Sequence, residues 1–251
     1  MAIGYELFSS AIFLSIFATC ISLNFRISKF LNLALGSVYA SGAYISYHLY
    51  HLSQTGFGFI SSIALSMLAG IVLGVTLYIL IKRIGSSMLE ATIISLGFGI
   101  AVEEILRITH SSGYYLIIED LNYTIFGIRL WELSEIILFI LVFLSLALIY
   151  LSKFGIRVKF VEDDPLLAEI YGVDVEKYSL ICIALTSSAI CVLGAMSSFS
   201  LAVSPSIGYL PLMSGIVIAS LASIFRSVGI MHYIKIAIIS ISYSILMMVI
   251  W

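Results

Sequence analysis

Charge is scarce in this chain. Lys, Arg, Asp and Glu together make up 10% of its 251 residues, against about 25% in ordinary soluble domains. So little charge cannot cover a water-exposed surface. The net charge of −2 gives no ground for a nucleic-acid partner, and none is expected. Cysteine occurs only three times, as Cys20, Cys182 and Cys191, each inside an apolar run. There is no CxxC pair. The four histidines are scattered near span ends without ligand spacing. The cysteines therefore read as reduced packing residues, and no metal or cofactor is expected. Sequence patterns of enzymes are missing too: no HExxH, no GxSxG and no clustered carboxylate pair. Without GxxxxGK[ST] the chain has no phosphate-cradling loop of that type. It is read as a non-enzyme, with a membrane-embedded enzyme as the competing class. No basic stretch or cleavage site precedes the first apolar run, so that run is expected to be retained. Neither a repeat nor a low-complexity linker divides residues 1–251, which read as one domain.

What the chain has in abundance is apolar length. It is 61% hydrophobic with a mean hydropathy of +1.16. A membrane span needs about 20 mostly apolar residues. Eight segments qualify: 5–25, 30–50, 59–81, 88–107, 132–152, 178–199, 208–225 and 230–251. The fold expected is all-α, a polytopic transmembrane bundle of about eight spans. The second and seventh spans carry polar residues with Gly or Pro and read as intact or as broken and re-entrant. Short loops rich in Lys and Arg stay on the cytoplasmic side. With the N-terminus outside, Arg26, Lys29, Lys82, Arg83, Lys153, Arg157, Lys159, Lys177 and Arg226 all fall inside. The outer loops hold only Arg129, with Arg107 at a span end; Gly56 and Glu119 lie outside. A short amphipathic piece is expected near 114–128, in an outer segment that closes the domain.

The most unusual stretch is Asn32 to Tyr44, small and polar-tinted amid apolar sequence. On one helix, Asn32, Gly36, Tyr39, Ala40 and Ala43 would share a face. Gly36 with Ala40, and Ser37 with Ser41, are small-xxx-small pairs that let helices approach closely. The face either lines a polar cavity or packs against a neighbour. Ser95, Gly97 and Gly99 in the fourth span offer the same two readings. Glu103 and Glu104 point about 100° apart on a helix, so they read as interface carboxylates, with Arg107 as the i+4 partner of Glu103. Pro205 and Pro211 break the segment before the last span, and such a break frees backbone groups for a polar solute.

The longest inner segment is 153–177. Asp164-Pro165 is a helix start and Gly172 a stop, enclosing a two-turn helix. Leu166, Leu167, Ile170 and Tyr171 form its apolar side; Asp163, Asp164 and Glu169 make the other side acidic. Asp174 is placed to cap the next span. Helices lying on the inner leaflet favour basic residues, so an acidic one is read as docking into a groove on a soluble partner.

Two of these stretches carry a family resemblance. Asn32-x-Ala34-x-Gly36-x-x-Tyr39-x-x-Gly42-Ala43-Tyr44 resembles the signature near the start of the branched-chain amino-acid ABC transporter permeases, which usually have His where this chain has Leu35. Asp163-Asp164-x-x-x-Ala168-x-x-x-Gly172-Val173-Asp174 is similar to that family's coupling-helix motif, flanked at family spacing by Phe154-Gly155-x-x-Val158 and Tyr178. Ser204-Pro205-x-x-Gly208 resembles the segment between its last long spans. The Gly-rich turn that normally follows is replaced by Ala222-Ser223-Ile224-Phe225-Arg226, and carboxylates stand at 103 and 104 where the family has amides. The chain also stops one span short of longer relatives. The resemblance implies an importer permease in the cell membrane, working as a dimer or heterodimer. ABC ATPase subunits would supply energy and an extracytoplasmic binding protein would deliver substrate. Asp163, Asp164, Pro165, Leu167, Ala168, Glu169, Tyr171 and Gly172 would couple to the ATPase, with Ala168 and Gly172 in closest contact. The translocation path and its packing would involve Asn32, Ala34, Gly36, Tyr39, Ala40, Ala43, Ser95, Gly97, Pro205 and Gly208. Branched-chain amino acids, other amino acids, urea or short amides and sugars are the cargoes such permeases carry. A non-transporting membrane anchor is the competing role.

Overall fold

A computed structural model describes residues 2–52, 56–85, 87–110, 116–117, 124–125, 128–224 and 229–250. Ten helices appear among them: α1 (Ala2–Ser28), α2 (Leu35–Leu52), α3 (Gly56–Ile84), α4 (Met88–Thr109), α5 (Leu130–Leu151), α6 (Lys153–Asp163), α7 (Pro165–Ile170), α8 (Val175–Ser197), α9 (Tyr209–Ile224) and α10 (Ile230–Ile250). All but α6 and α7 coincide with the eight expected spans. Five are long and apolar enough to cross a membrane: Leu7–Ser28, Gly58–Ile84, Leu133–Leu151, Val175–Ser197 and Ile230–Val249. The apolar α9 is shorter. Ser, Tyr and His dilute α2, and α4 carries Glu90, Glu103, Glu104 and Arg107. Helices suit this composition because hydrocarbon offers no partner for a free backbone N–H or C=O.

Three expectations need correction. Asn32 does not ride on α2, which starts at Leu35; residues 29–34 are irregular, and Lys29 has a φ of 58°. Residues 153–163, read as loop, form α6. Their apolar residues alternate at 154, 156, 158 and 160, which disguises the face that is buried, Val158, Val161 and Glu162. The expected amphipathic piece near 114–128 is extended where it is described: Leu116 forms a β-bridge with Val203, and β1 (Thr124–Ile125) pairs antiparallel with β2 (Ile128–Arg129). The placements expected for Glu119 and Arg226 fall outside the described residues.

The core is built around α1 and α8, the most enclosed spans, while α3, α5 and α10 turn apolar sides outward. One cluster joins Ile16, Phe17, Val38, Tyr39, Ile190, Leu193 and Leu212. A second joins Tyr150, Val158, Val161, Ala168, Cys182, Ile218 and Tyr233. Helices approach through glycine. A Cβ on Gly42 would lie 1.8 Å from the Cys191 carbonyl oxygen, and one on Gly194 would lie 2.0 Å from that of Tyr39. Gly70 and Gly74 of α3 meet the backbone of α8 at Ser187, Ser188 and Ile183 in the same way. In hydrocarbon, such close contact replaces the hydrophobic drive that water would provide.

Candidate functional site

The irregular segment before α2 frees backbone groups that the bundle must satisfy. Two hydroxyls of α4 do so. Leu33 N–H donates to Ser95 Oγ at 3.0 Å, and Leu31 N–H donates to Thr92 Oγ1 at 3.3 Å. The Ser95 O–H reaches the carbonyls of Leu31 at 3.2 Å and Thr92 at 2.7 Å. Asn32 turns its carboxamide oxygen onto Ala34 N–H at 3.1 Å, and its Nδ2 is buried with no partner among the described residues. Gly99 rather than Gly97 packs here: a Cβ at Gly99 would stand 3.2 Å from Ala34 Cα, whereas Gly97 faces outward with nothing within 4 Å. Gly97 is thereby removed from the packing set.

Gly36 and Gly208, from distant motifs, come together. A Cβ on Gly208 would fall 1.9 Å from the Gly36 carbonyl oxygen. Pro205 is buried in the turn leading to that contact, and α9 begins only at Tyr209. Deeper along α2, Tyr39 is wholly buried, hydrogen-bonds Ser197 Oγ and packs edge-on to Phe13 and Phe17. Ala40 and Ala43 are likewise buried. Glu103 is more enclosed than an interface carboxylate. It accepts from Arg107 at 3.0 Å, the expected i+4 partner, and also from the Tyr209 hydroxyl.

Ser95→Ala tests this arrangement. It strips Leu33 N–H of its acceptor in a partly buried place, where leaving a donor unpaired costs up to about 1–3 kcal/mol. A clear fall in the midpoint of thermal unfolding in detergent is the expected reading, and an unchanged midpoint would show that the segment finds other partners.

At the other site, α6 and α7 form an arm between α5 and α8. A Cβ at Gly155 would lie 2.5 Å from the carbonyl oxygens of Ile149 and Tyr150, so glycine permits the sharp entry from α5. Asp164 caps α7, its carboxylate accepting from Leu166 N–H at 2.9 Å and Leu167 N–H at 3.2 Å, with Pro165 in the first turn. Gly172 ends the motif with φ +78°. Val173 N–H donates to Ala168 C=O at 2.9 Å, and Gly172 N–H to Glu169 C=O at 2.9 Å. Asp174 caps α8 by accepting from Lys177 N–H at 3.2 Å. The Lys177 side chain bonded to it holds the Asp174 carboxyl below its usual range.

The expected apolar side of α7 is uncovered: Leu166 is 73% exposed, Ile170 82% and Tyr171 71%. Leu167 and Glu169 are exposed as well, as are Asp163 and Asp164. Ala168 differs. It is 0% exposed and packs into the cluster of Val158, Val161 and Cys182. The reading of Ala168 as a contact position on a partner is therefore corrected: it faces this chain's own interior.

Both ends of the bundle have a distinct character. Arg26, Lys29, Lys82 and Lys177 meet Glu162, Glu176 and Asp174 at the end that carries the arm. At the far end of α4, His110 stacks with His48 and Tyr44, and the two histidines are hydrogen-bonded. Two features escape the sequence reading. One is the GxxxG of Gly70 and Gly74, a recognised packing signal. The other is Glu162, a lone acid on the apolar side of α6, for which periodicity gives no cue.

Comparison with known proteins points one way. A probable branched-chain amino acid transport permease protein, LivH, of Methanocaldococcus jannaschii is 30% identical over 198 residues. That match takes in 73% of this chain and 61% of the relative, so the chain spans about three fifths of that protein's length. In fold, the chain is similar to a chain of PsaBC from Streptococcus pneumoniae in complex with Fab, with a TM-score of 0.50 at 14% identity, covering 95% of this chain and 77% of that one. Residues 5–250 match the family described as branched-chain amino acid transport system / permease component, and the chain is a membrane-spanning, helical member of that family.

Proposed function

We propose that this chain is the permease subunit of an ATP-driven importer in the cell membrane, moving branched-chain amino acids inward. Two separate ATPase subunits bind on the cytoplasmic side, a second permease copy or homologue completes the pore, and an extracytoplasmic binding protein delivers substrate. The observation that carries this reading is α7. Its short helix is firmly capped at both ends, displays bare apolar side chains beside acids, and sits at the cation-rich end of the bundle. A rigid, solvent-facing apolar face of this kind fits a groove on a soluble partner. The narrow part of the path is proposed to lie at the irregular start of α2, a reading supported by the Asn32 Nδ2, buried without a partner among the described residues, and by the Gly36–Gly208 contact.

The test is reconstitution. The chain, co-expressed with its ATPase and binding protein in liposomes, is expected to accumulate radiolabelled leucine only when ATP is present. Failure of any ATPase to co-purify would overturn the reading. Topology is tested separately by cysteine labelling in intact cells. The native cysteines are buried, so background is low. Gly56→Cys is expected to react with an impermeant reagent from outside and Lys177→Cys only after permeabilisation; ready external labelling at 177 would invert the orientation.

A further inference from the structure

Within the apolar contact that joins the α6–α7 arm to the bundle lies one buried carboxylate. Glu162 lies two residues before the Asp164 cap, and its side chain is 0% exposed. Three spans converge on it. From α5, Tyr150 donates its hydroxyl to Oε1; from α10, Tyr233 donates to the same oxygen at 3.3 Å. The two hydroxyls also lie 3.1 Å apart. From α1, the Arg26 guanidinium stands 3.6 Å from Oε2. Just beyond α1, Lys29 Nζ donates to the Glu162 backbone carbonyl at 2.5 Å.

Adhesion alone does not call for an ion here. The surroundings are apolar, with Val158, Val161, Ile218 and Ile236 in the same cluster, and a well-packed apolar side chain often serves stability as well as a buried ion pair does. What a carboxylate adds is direction. It fixes the relative positions of three helices: sliding α5 or α10 breaks a charge-assisted hydrogen bond in a dry place, and sliding α1 parts the ion pair with Arg26. We propose that Glu162 is the positioning residue that makes the α6–α7 arm move as one body with α1, α5 and α10, so that displacement of α7 by an ATPase is delivered to those spans. This rests on the permease reading above. Glu162 touches no substrate; it acts through the helices it joins. Of the remaining spans, α2, α3 and α8 are joined by glycine contacts of their own.

The test is the ratio of leucine accumulated to ATP hydrolysed, measured in liposomes with the complete assembly. Loss of folded protein lowers both quantities and leaves the ratio unmoved, whereas loss of transmission lowers the ratio. Glu162→Gln keeps the shape and removes the charge. It is expected to retain the ATPase in pull-down while the ratio falls at least tenfold. A ratio within twofold of the parent's would overturn the proposal. Should Glu162→Gln fail to fold, Tyr233→Phe decides, since it removes a single donor. A ratio reduced threefold or more supports the proposal, and an unchanged one overturns it. If the parent assembly itself neither hydrolyses ATP nor takes up leucine, the permease reading has failed and the inference falls with it, a result distinct from a variant-specific loss.

Discussion

Gly42→Leu is expected to leave no folded bundle. The β-carbon alone would stand 1.8 Å from the Cys191 carbonyl oxygen and 2.7 Å from its carbon. Both atoms are backbone in the middle of α8, so neither can swing aside as a side chain would. Ordinary van der Waals contact begins at 3.4 Å, and reaching it means parting α2 from α8 by more than an ångström. The reciprocal contact of Gly194 with Tyr39, and the Tyr39–Ser197 hydrogen bond beside it, would be pulled apart together. Overpacking a core typically costs about 1–3 kcal/mol when side chains can yield, and here they cannot. A loss above about 3 kcal/mol is a large share of the 5–15 kcal/mol that folded domains possess. The readout is the monodisperse fraction in detergent and the midpoint of thermal unfolding. Gly97→Leu is the control: that position faces open space, and no change is expected. A monodisperse Gly42→Leu protein with the parent's midpoint would show that the crossing is looser than described.

The fold was legible because lipid enforces a simple rule. Apolar length sets helices, and all eight expected spans meet helices at nearly their expected positions. Legibility failed where tertiary hydrogen bonds override local pattern. Asn32 looks like a helix residue by spacing, yet Ser95 and Thr92 of α4 satisfy the backbone that precedes α2, and nothing in the local sequence encodes a partner sixty residues away. In α6 the alternation of apolar residues conceals a helix whose buried side includes an acid.

At the candidate sites, the small-residue signature told of close approach but not against what. Gly36 does meet backbone, and the surface it meets is Gly208, from a motif noted for its proline. Gly97 and Gly99 differ by two residues and so point to opposite sides of α4; composition cannot choose between them. The caps of α7 were readable in full, because Asp-Pro and Gly act through their own backbone. Which face of α7 is buried was not, since Ala168 owes its burial to Val158 and Val161 on another helix.

That distinction shapes the second large effect. Leu166→Asp combined with Ile170→Asp is expected to abolish ATPase association while leaving the spans intact. Both side chains are mostly exposed, and exposed substitutions usually change stability by no more than about 0.5 kcal/mol. If a partner buries them, each contributes roughly 1.5–3 kcal/mol, so losing both weakens binding more than about a hundredfold. Added negative charge beside Asp163, Asp164 and Glu169 does not mend the fit. Gly172→Val reaches the same surface by another route: at φ +78° a β-branched residue costs about 1–2 kcal/mol, and the turn that aims Tyr171 and closes α7 is distorted. Ala168→Arg is not equivalent, because it drives a cation into the arm's own core and is expected to unfold it. The measurement is pull-down of the ATPase subunit by detergent-extracted protein, with unfolding midpoints recorded alongside. Loss of the ATPase at an unchanged midpoint assigns the uncovered face of α7 to docking. Retention of the ATPase by the double aspartate variant would move the docking surface elsewhere on the end that carries the arm, and the permease reading would lose the observation that carries it.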